Sequence, residues 1–293
     1  MLATPSPPNK YLSTPTEVSF HGTYIWCLRR GDVTGPETTN AETGDPAVVA
    51  ARAPESTGDP AVHAVGVGPG APAFLTGRAR DLIAAADVVV GFETVVDFAR
   101  EAIDDAETDC LTCGYADEGE TLAAFADRVG AGERGVALLM GDPNVSGYQF
   151  LGKVERAVDG PVRVVPGISS IQVAASRART PMEDTTFQTL HVRGDVTGAL
   201  DRLADDAGER HLIVIPRPYD WMPEDVAAFL LDRGAPGDLT AIVFERLTHD
   251  GESRTETTLA ELAADAGGDG PDDTAFSDLS ILVVRAPTDS DLP

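Results

Sequence analysis

At 293 residues and 42% hydrophobic, the chain is long enough for two domains and for a substantial buried core. No apolar run approaches the roughly eighteen residues of a membrane span, and the start lacks a secretory apolar segment, so a cytoplasmic protein is expected. Acidic residues outnumber basic ones 48 to 22, for a net charge of -26, and only Lys10 and Lys153 are lysines; this argues against a nucleic-acid binder and fits a halophilic source whose salt screens the self-repulsion.

Residues 1–60 are rich in Pro, Thr, Gly and Ala, with one apolar island at 18–27. They repeat Thr-Gly-Asp-Pro-Ala-Val at Thr43–Val48 and Thr57–Val62. Such composition buries too little surface to offset chain entropy, so the stretch is expected to be disordered or non-essential, and deletion of 1–58 is expected to leave activity intact.

From Ala61 strands and helices alternate. A strand at 62–67 runs into Gly66-Val67-Gly68-Pro69-Gly70 and a helix at 73–86, whose Leu75, Ala79, Leu82, Ile83 and Ala86 share a face. Val88-Val89-Val90 reads as a short buried strand, followed by helix at 94–103 and a strand near Cys110. Leu122, Phe125, Ala126 and Val129 make the stripe of the next helix. A strand at 136–140 ends at Gly141-Asp142-Pro143, and helix returns over 149–158. A strand at 162–165 meets Pro166-Gly167-Ile168-Ser169-Ser170, where a serine suits the N-cap of a helix. Beyond Arg179-Thr180-Pro181 the rhythm changes, with strands at 187–193, 211–216, 239–245, 254–258 and 279–285 and helices at 196–206, 223–232 and 259–265. The expected domains are therefore an α/β domain at 61–182 with a mostly parallel sheet and a second at 183–287 with a mixed sheet, then a tail at 288–293.

Cys110-x-x-Cys113 lacks a second such pair and a nearby histidine, so it reads as two ordinary strand cysteines, and no metal site of the protein's own is expected. The Gly66–Gly70 loop allows a dinucleotide fingerprint with Glu93 as ribose acceptor, but Pro69 and Pro72 remove donors that a pyrophosphate needs at a helix start.

Three strand-to-elbow segments followed by helices gather their loops at one sheet edge, where ligands bind. In order and spacing, Gly66–Gly70, Gly141–Pro143 and Pro166–Ser170 resemble the tetrapyrrole methylases over about residues 61–287. Within that family, Ile171-Gln172-Val173-Ala174-Ala175 and Leu190-His191-Val192-Arg193-Gly194 are similar to the cobalt-precorrin-7 (C5)-methyltransferases of cobalamin synthesis. Phe244-Glu245-Arg246-Leu247 and Thr258–Leu262 also fit the family's second-domain pattern.

The resemblance implies a two-domain homodimer with S-adenosylmethionine in a cleft between the domains and a cobalt-precorrin tetrapyrrole as substrate. Cobalt would arrive inside that substrate. It also implies that a separate protein carries out C15 methylation and decarboxylation. The implied cofactor contacts are Pro69, Met140, Gly141, Asp142, Val145, Ser169, Ser170, Pro216 and Leu247. His191, Arg193 and Arg217 are the substrate-side candidates, and no side chain is expected to act as a nucleophile. Where relatives carry Gly and an aromatic after Asp-Pro, this chain has Asn144-Val145-Ser146-Gly147. Another ring-position methylase, diphthine synthase and a nicotinamide-dependent dehydrogenase are the competing readings.

Overall fold

Three short apolar strands, at 62–66, 88–92 and 135–139, form the buried centre of the first sheet. In the computed structural model, residues 45–55, 57–103, 107–192, 194–267, 270 and 272–287 are described, all within one unit spanning Pro36–Pro293. The apolar island at 18–27, Cys27 and Arg193 lie outside the described residues.

Strands β1 (Val62–Gly66), β2 (Val88–Phe92), β3 (Asp109–Cys113), β4 (Gly135–Leu139) and β5 (Val162–Val165) pair in parallel in the order β3-β2-β4-β1-β5. Alternation along each strand sends side chains to two separate cores. Val62, Ala64, Val88, Val90, Ala137 and Leu139 face helices α4 (Glu118–Gly130) and α5 (Tyr148–Ala157). Val65, Val89, Val136 and Leu138 face α2 (Gly77–Ala84) and α3 (Glu93–Phe98). Phe125, predicted on the α4 stripe, is fully buried, and truncating such a ring costs about 3–5 kcal/mol.

The order places β4, β1 and β5 side by side although they are far apart in sequence, so the three elbows emerge together at one edge. The first elbow does not enter a helix directly. Pro72–Phe74 form a 3₁₀ turn, and α2 begins only at Gly77, capped by Thr76, whose Oγ1 accepts from the Ala79 amide at 3.2 Å. The predicted helix at 73–86 is accordingly shorter. Likewise the helix expected at 94–103 breaks after Phe98 and resumes as a 3₁₀ turn at Arg100–Ala102.

The second sheet is mixed. Strands β6 (Thr185–Thr189), β7 (His211–Ile215), β8 (Thr240–Glu245), β9 (Ser253–Thr258) and β10 (Ser280–Val284) order as β6-β7-β10-β8-β9, with only β6 and β7 parallel neighbours. One face, with Leu212, Val214, Ala241, Val243 and Leu282, packs on α7 (Thr197–Asp206), α8 (Pro223–Asp232) and α9 (Leu259–Ala263). The opposite face, with Ile213, Ile242, Phe244, Ile281 and Val283, packs on α6 (Ser170–Ala178), the helix that leaves the third elbow. Edge strand β9 is exposed over Ser253–Glu256, polar and charged as an unpaired edge requires.

From Asp45 onward the expectation of disorder is corrected. Helix α1 (Pro46–Ala50) lies on α5, with Asp45 Oδ1 accepting from the Ala47 amide at 2.9 Å and from Gln149 Nε2 at 2.8 Å. Gly152 admits this approach: a Cβ there would sit 1.9 Å from the Pro46 carbonyl oxygen. Arg163 then holds Glu55 at 2.8 Å and the Gly58 carbonyl at 2.9 Å, tying the segment to β5. Backbone contact, which composition does not reveal, supplies the order.

Candidate functional site

The elbows after β1, β4 and β5 touch through their main chains. Val67 N–H donates to the Leu139 carbonyl at 2.9 Å, Gly141 N–H to Gly68 at 2.9 Å, and Gly68 N–H back to Gly141 at 3.2 Å. At the crossing no side chain fits. A Cβ on Gly66 would stand 2.6 Å from the Gly141 oxygen and 2.7 Å from the Gly167 nitrogen, and one on Gly167 would stand 2.1 Å from the same oxygen. The glycines are thus required by close approach of backbones.

Asp142 caps the second elbow. Its Oδ1 accepts from the Asn144 amide at 2.7 Å and from Asn144 Nδ2 at 2.9 Å, while Tyr148 donates to Asn144 Oδ1 at 3.1 Å. The segment that departs from the family pattern, 144–147, lies within a single π-helical turn, Pro143–Gly147, that leads into α5. Such wide turns recur at functional sites. Ser169 is 2% exposed and caps α6 as a capping box with Gln172, accepting from its amide at 3.3 Å. Ser170 is half-buried as the first residue of that helix.

Phe74, Val145 and Ile168, one from or beside each elbow, pack against the α6 face of the second sheet with Ile213, Ile215, Phe244 and Leu247. Met140 is half-buried beside the α2–α3 core, and Pro69 and Pro216 are buried at their strand ends. The structure therefore brings Pro69, Gly141, Asp142, Val145, Ser169 and Leu247 to one seam between the elbows and the second sheet.

The substrate-side candidates behave differently. Arg217 is only 9% exposed, and its guanidinium is spent on neighbouring chain. Nε donates to the Leu190 carbonyl at 3.0 Å, Nη2 to Val192 and Gly194 at 2.8 Å each, and Nη1 to Asp220 at 3.0 Å. It shapes the 190–194 loop instead of presenting a charge, which corrects its expected direct pairing with substrate carboxylates. His191 sits on that loop, half-buried, with burial pushing its imidazole below the usual pKa despite the opposing pull of Asp278.

Tyr219, Arg246 and Thr248, after β7 and β8, hold left-handed φ angles of 63°, 48° and 73° without being glycine. His249 and Thr248 reach across to the first elbow. Thr248 and His249 carry no mark in the sequence, since nothing in Arg246-Leu247-Thr248-His249 signals a left-handed backbone.

The two cysteines point to opposite faces of β3, Cys110 toward the α2–α3 core and Cys113 into the α4–α5 core. Burial, then Glu118 and Asp117, push the Cys113 thiol up to about 12, and its Sγ–H donates to the Gly91 carbonyl at 3.6 Å. Among the described residues no three His, Cys, Asp or Glu side chains gather into a metal site. The first elbow also meets no helix start that a pyrophosphate would use, and Glu93 is exposed in the first turn of α3, both against the dinucleotide reading.

The sequence profile of the tetrapyrrole (corrin/porphyrin) methylases matches residues 61–263. The chain belongs to this family. It is thereby a methyltransferase of a family that uses S-adenosylmethionine. A protein of Methanocaldococcus jannaschii named "probable cobalt-precorrin-7 C(5)-methyltransferase" is 31% identical over 204 residues, covering 69% of this chain and 91% of that protein. A siroheme synthase of Gluconobacter oxydans is 30% identical over 223 residues, covering 70% of this chain but only 46% of its own length. Among solved structures, the uroporphyrin-III C-methyl transferase of Thermus thermophilus, complexed with S-adenosyl homocysteine, superposes with a TM-score of 0.58 at 22% identity, covering 76% of this chain and 96% of that one. No described helix is long and apolar enough to cross a membrane.

Proposed function

We propose that this chain transfers a methyl group from S-adenosylmethionine to C5 of cobalt-precorrin-7 in cobalamin synthesis. The observation that carries the methyl-transfer part is the glycine crossing of the three elbows. A ligand seated there meets backbone and apolar atoms, and Asp142 is the only titratable residue on the elbow tips (67–71, 141–143 and 166–170). That surface fits a sulfonium nucleoside, whose cationic end suits one carboxylate and whose reacting methyl needs no polar partner. Pro69, Met140, Gly141, Asp142, Val145, Ser169 and Ser170, with Pro216 and Leu247 from the second sheet, would hold it.

When bound, the sulfonium supplies an electrophilic methyl whose thioether leaves without protonation. The protein's part is alignment and exclusion of water. The Gly68–Gly141 bridges fix two elbows relative to each other, and Phe74, Val145, Ile168 and Leu247 dry the seam. Arg217 holds the carbonyls of Leu190, Val192 and Gly194, and His191 and Arg193 remain the side chains proposed for the macrocycle. No side chain forms a covalent bond to substrate.

The C5 position is supported by the likeness to the Methanocaldococcus protein, which this chain covers almost end to end. Uroporphyrinogen-type substrates are the second reading, favoured by the likeness to a siroheme synthase. On the first reading the enzyme is a cytoplasmic homodimer of domains 61–182 and 183–287, and C15 chemistry belongs to a separate protein. Incubation with cobalt-precorrin-7 and methyl-labelled S-adenosylmethionine in molar salt tests this: label at C5 by NMR is expected. Label transferred only to uroporphyrinogen III selects the second reading. Binding of nicotinamide cofactors without S-adenosylhomocysteine binding rejects both.

A further inference from the structure

The loop between β8 and β9, residues 246–252, is held in a shape its side chains disfavour. Arg246 and Thr248 are left-handed there, as is Gly251, and only the last takes that conformation without strain. Several bonds maintain the shape. Arg246 N–H donates to Leu279 at 3.0 Å, His249 N–H to Arg246 at 2.8 Å, and Thr248 N–H to Glu252 Oε2 at 2.7 Å. Glu252 in turn pairs with Arg177 on α6.

The outcome is that two side chains leave the second sheet and engage the first elbow. Thr248 Oγ1 accepts from the Ala71 amide at 3.4 Å. The His249 ring donates to the Pro69 carbonyl and packs beside Phe98 of α3, with centroids 5.2 Å apart. It lies where any side chain at residue 70 would be: a Cβ on Gly70, at φ 142°, would stand 2.2 Å from His249 Cε1. Elbow and ring thus fill one volume between them.

We propose that His249 is a positioning residue for methyl transfer: its ring fixes Pro69–Ala71 across the seam and so sets how tightly the pocket grips S-adenosylmethionine and its demethylated product. This rests on the methyltransferase reading above. The elbow has few restraints of its own, because Gly68 and Gly70 are permissive and Pro69 has no amide hydrogen. A bond from the opposite sheet replaces the missing ones, and such preorganisation appears as affinity.

Calorimetric titration with S-adenosylhomocysteine, on full-length protein in molar potassium chloride, tests the assignment. Relative to the native chain, His249→Ala is expected to bind about tenfold more weakly, as loss of one buried bond implies, with its unfolding midpoint close to native. The better of His249→Gln and His249→Asn, each keeping a side-chain N–H, is expected to recover most of the affinity. The KM for S-adenosylmethionine should rise while kcat stays within about threefold, since the transferring atoms are untouched. Gly70→Ala should weaken binding in the native background more than in His249→Ala, because the clash needs the ring. Unchanged affinity in His249→Ala overturns the inference and leaves the methyltransferase reading standing. Equal losses from Gly70→Ala in both backgrounds, without rescue by Gln or Asn, also overturn it. If His249→Ala does not fold, His249→Phe, which keeps the ring's bulk without its N–H, decides: weaker binding supports the ring's role and native affinity overturns it. A native chain that ignores S-adenosylhomocysteine overturns both readings.

Discussion

The two sides of the seam solve the same geometric problem by opposite means. The first sheet turns its chain sharply with glycine at 66, 68, 70, 141 and 167, so the tight bends cost little and the backbones touch. The second sheet uses Tyr219, Arg246 and Thr248 in left-handed conformations, where each side chain costs roughly 1 kcal/mol or more. Glycine elbows give a surface shaped by main chain and therefore suited to a small invariant ligand. Strained loops keep their side chains, and with them the capacity to touch something across the gap. The elbows are bent cheaply and held by backbone contact; the loop after β8 is bent at a cost and keeps the side chains that reach the first elbow.

The largest effect expected from this contrast is at Gly167. Replacing it by alanine forces a Cβ into the Gly141 carbonyl, and a loss of about 3 kcal/mol or more in thermal or denaturant unfolding should accompany loss of S-adenosylhomocysteine binding. A folded, fully binding Gly167→Ala would break the claim that the elbows need bare backbone. On the other side, Arg217→Ala strands three carbonyls and should cost about 2–4 kcal/mol, while raising the KM for the macrocycle more than that for S-adenosylmethionine. Arg217→Lys should rescue it poorly, since an ammonium has no fork.

A third test concerns the brace on α5, the helix that follows the second elbow. Removing residues 1–60 should lower stability by about 1–3 kcal/mol relative to removing 1–44, through loss of the Pro46–Gly152 contact and the Arg163 bonds. Equal stability of the two truncations would restore the reading of 1–58 as dispensable.

Acidification should act on both sides of the seam. Burial holds His63, His191, His211 and His249 below the usual histidine pKa, so the unfolded chain takes up more protons as pH falls through about 6.5. Stability from these groups is therefore present above that pH and is lost below it, so the unfolding midpoint in molar salt should drop between pH 7 and pH 5. A midpoint flat over that range would contradict the buried, neutral assignment. The smallest effect is predicted for Thr248→Gly, where relief of left-handed strain offsets the lost bond to Ala71 and stability moves by less than about 1 kcal/mol.

These contrasts also explain what could be read from the chain. Val88–Val90 and Val136–Leu139 read as buried parallel strands because apolar runs have few other uses. Glycine and proline marked the elbows for the same reason that they build them. Strain in ordinary residues leaves no such mark, so Thr248 and His249 went unread. Arg217 is a substrate-side candidate by the resemblance, yet three of its acceptors are carbonyls more than twenty residues earlier and the fourth is Asp220. Helix α1 escaped because what admits it is an absent side chain at Gly152, a hundred positions away.

Strand β1 is the first of its sheet to be synthesised, yet its two neighbours are β4 and β5, with Val62 opposite both Gly135 and Val162. On the ribosome it must therefore wait, an apolar ribbon without partners, until about seventy further residues have emerged with β4 and about a hundred with β5. The pocket is among the last parts of that sheet to close, so a nascent chain stalled before β5 would expose sticky edges without any ability to capture its ligand.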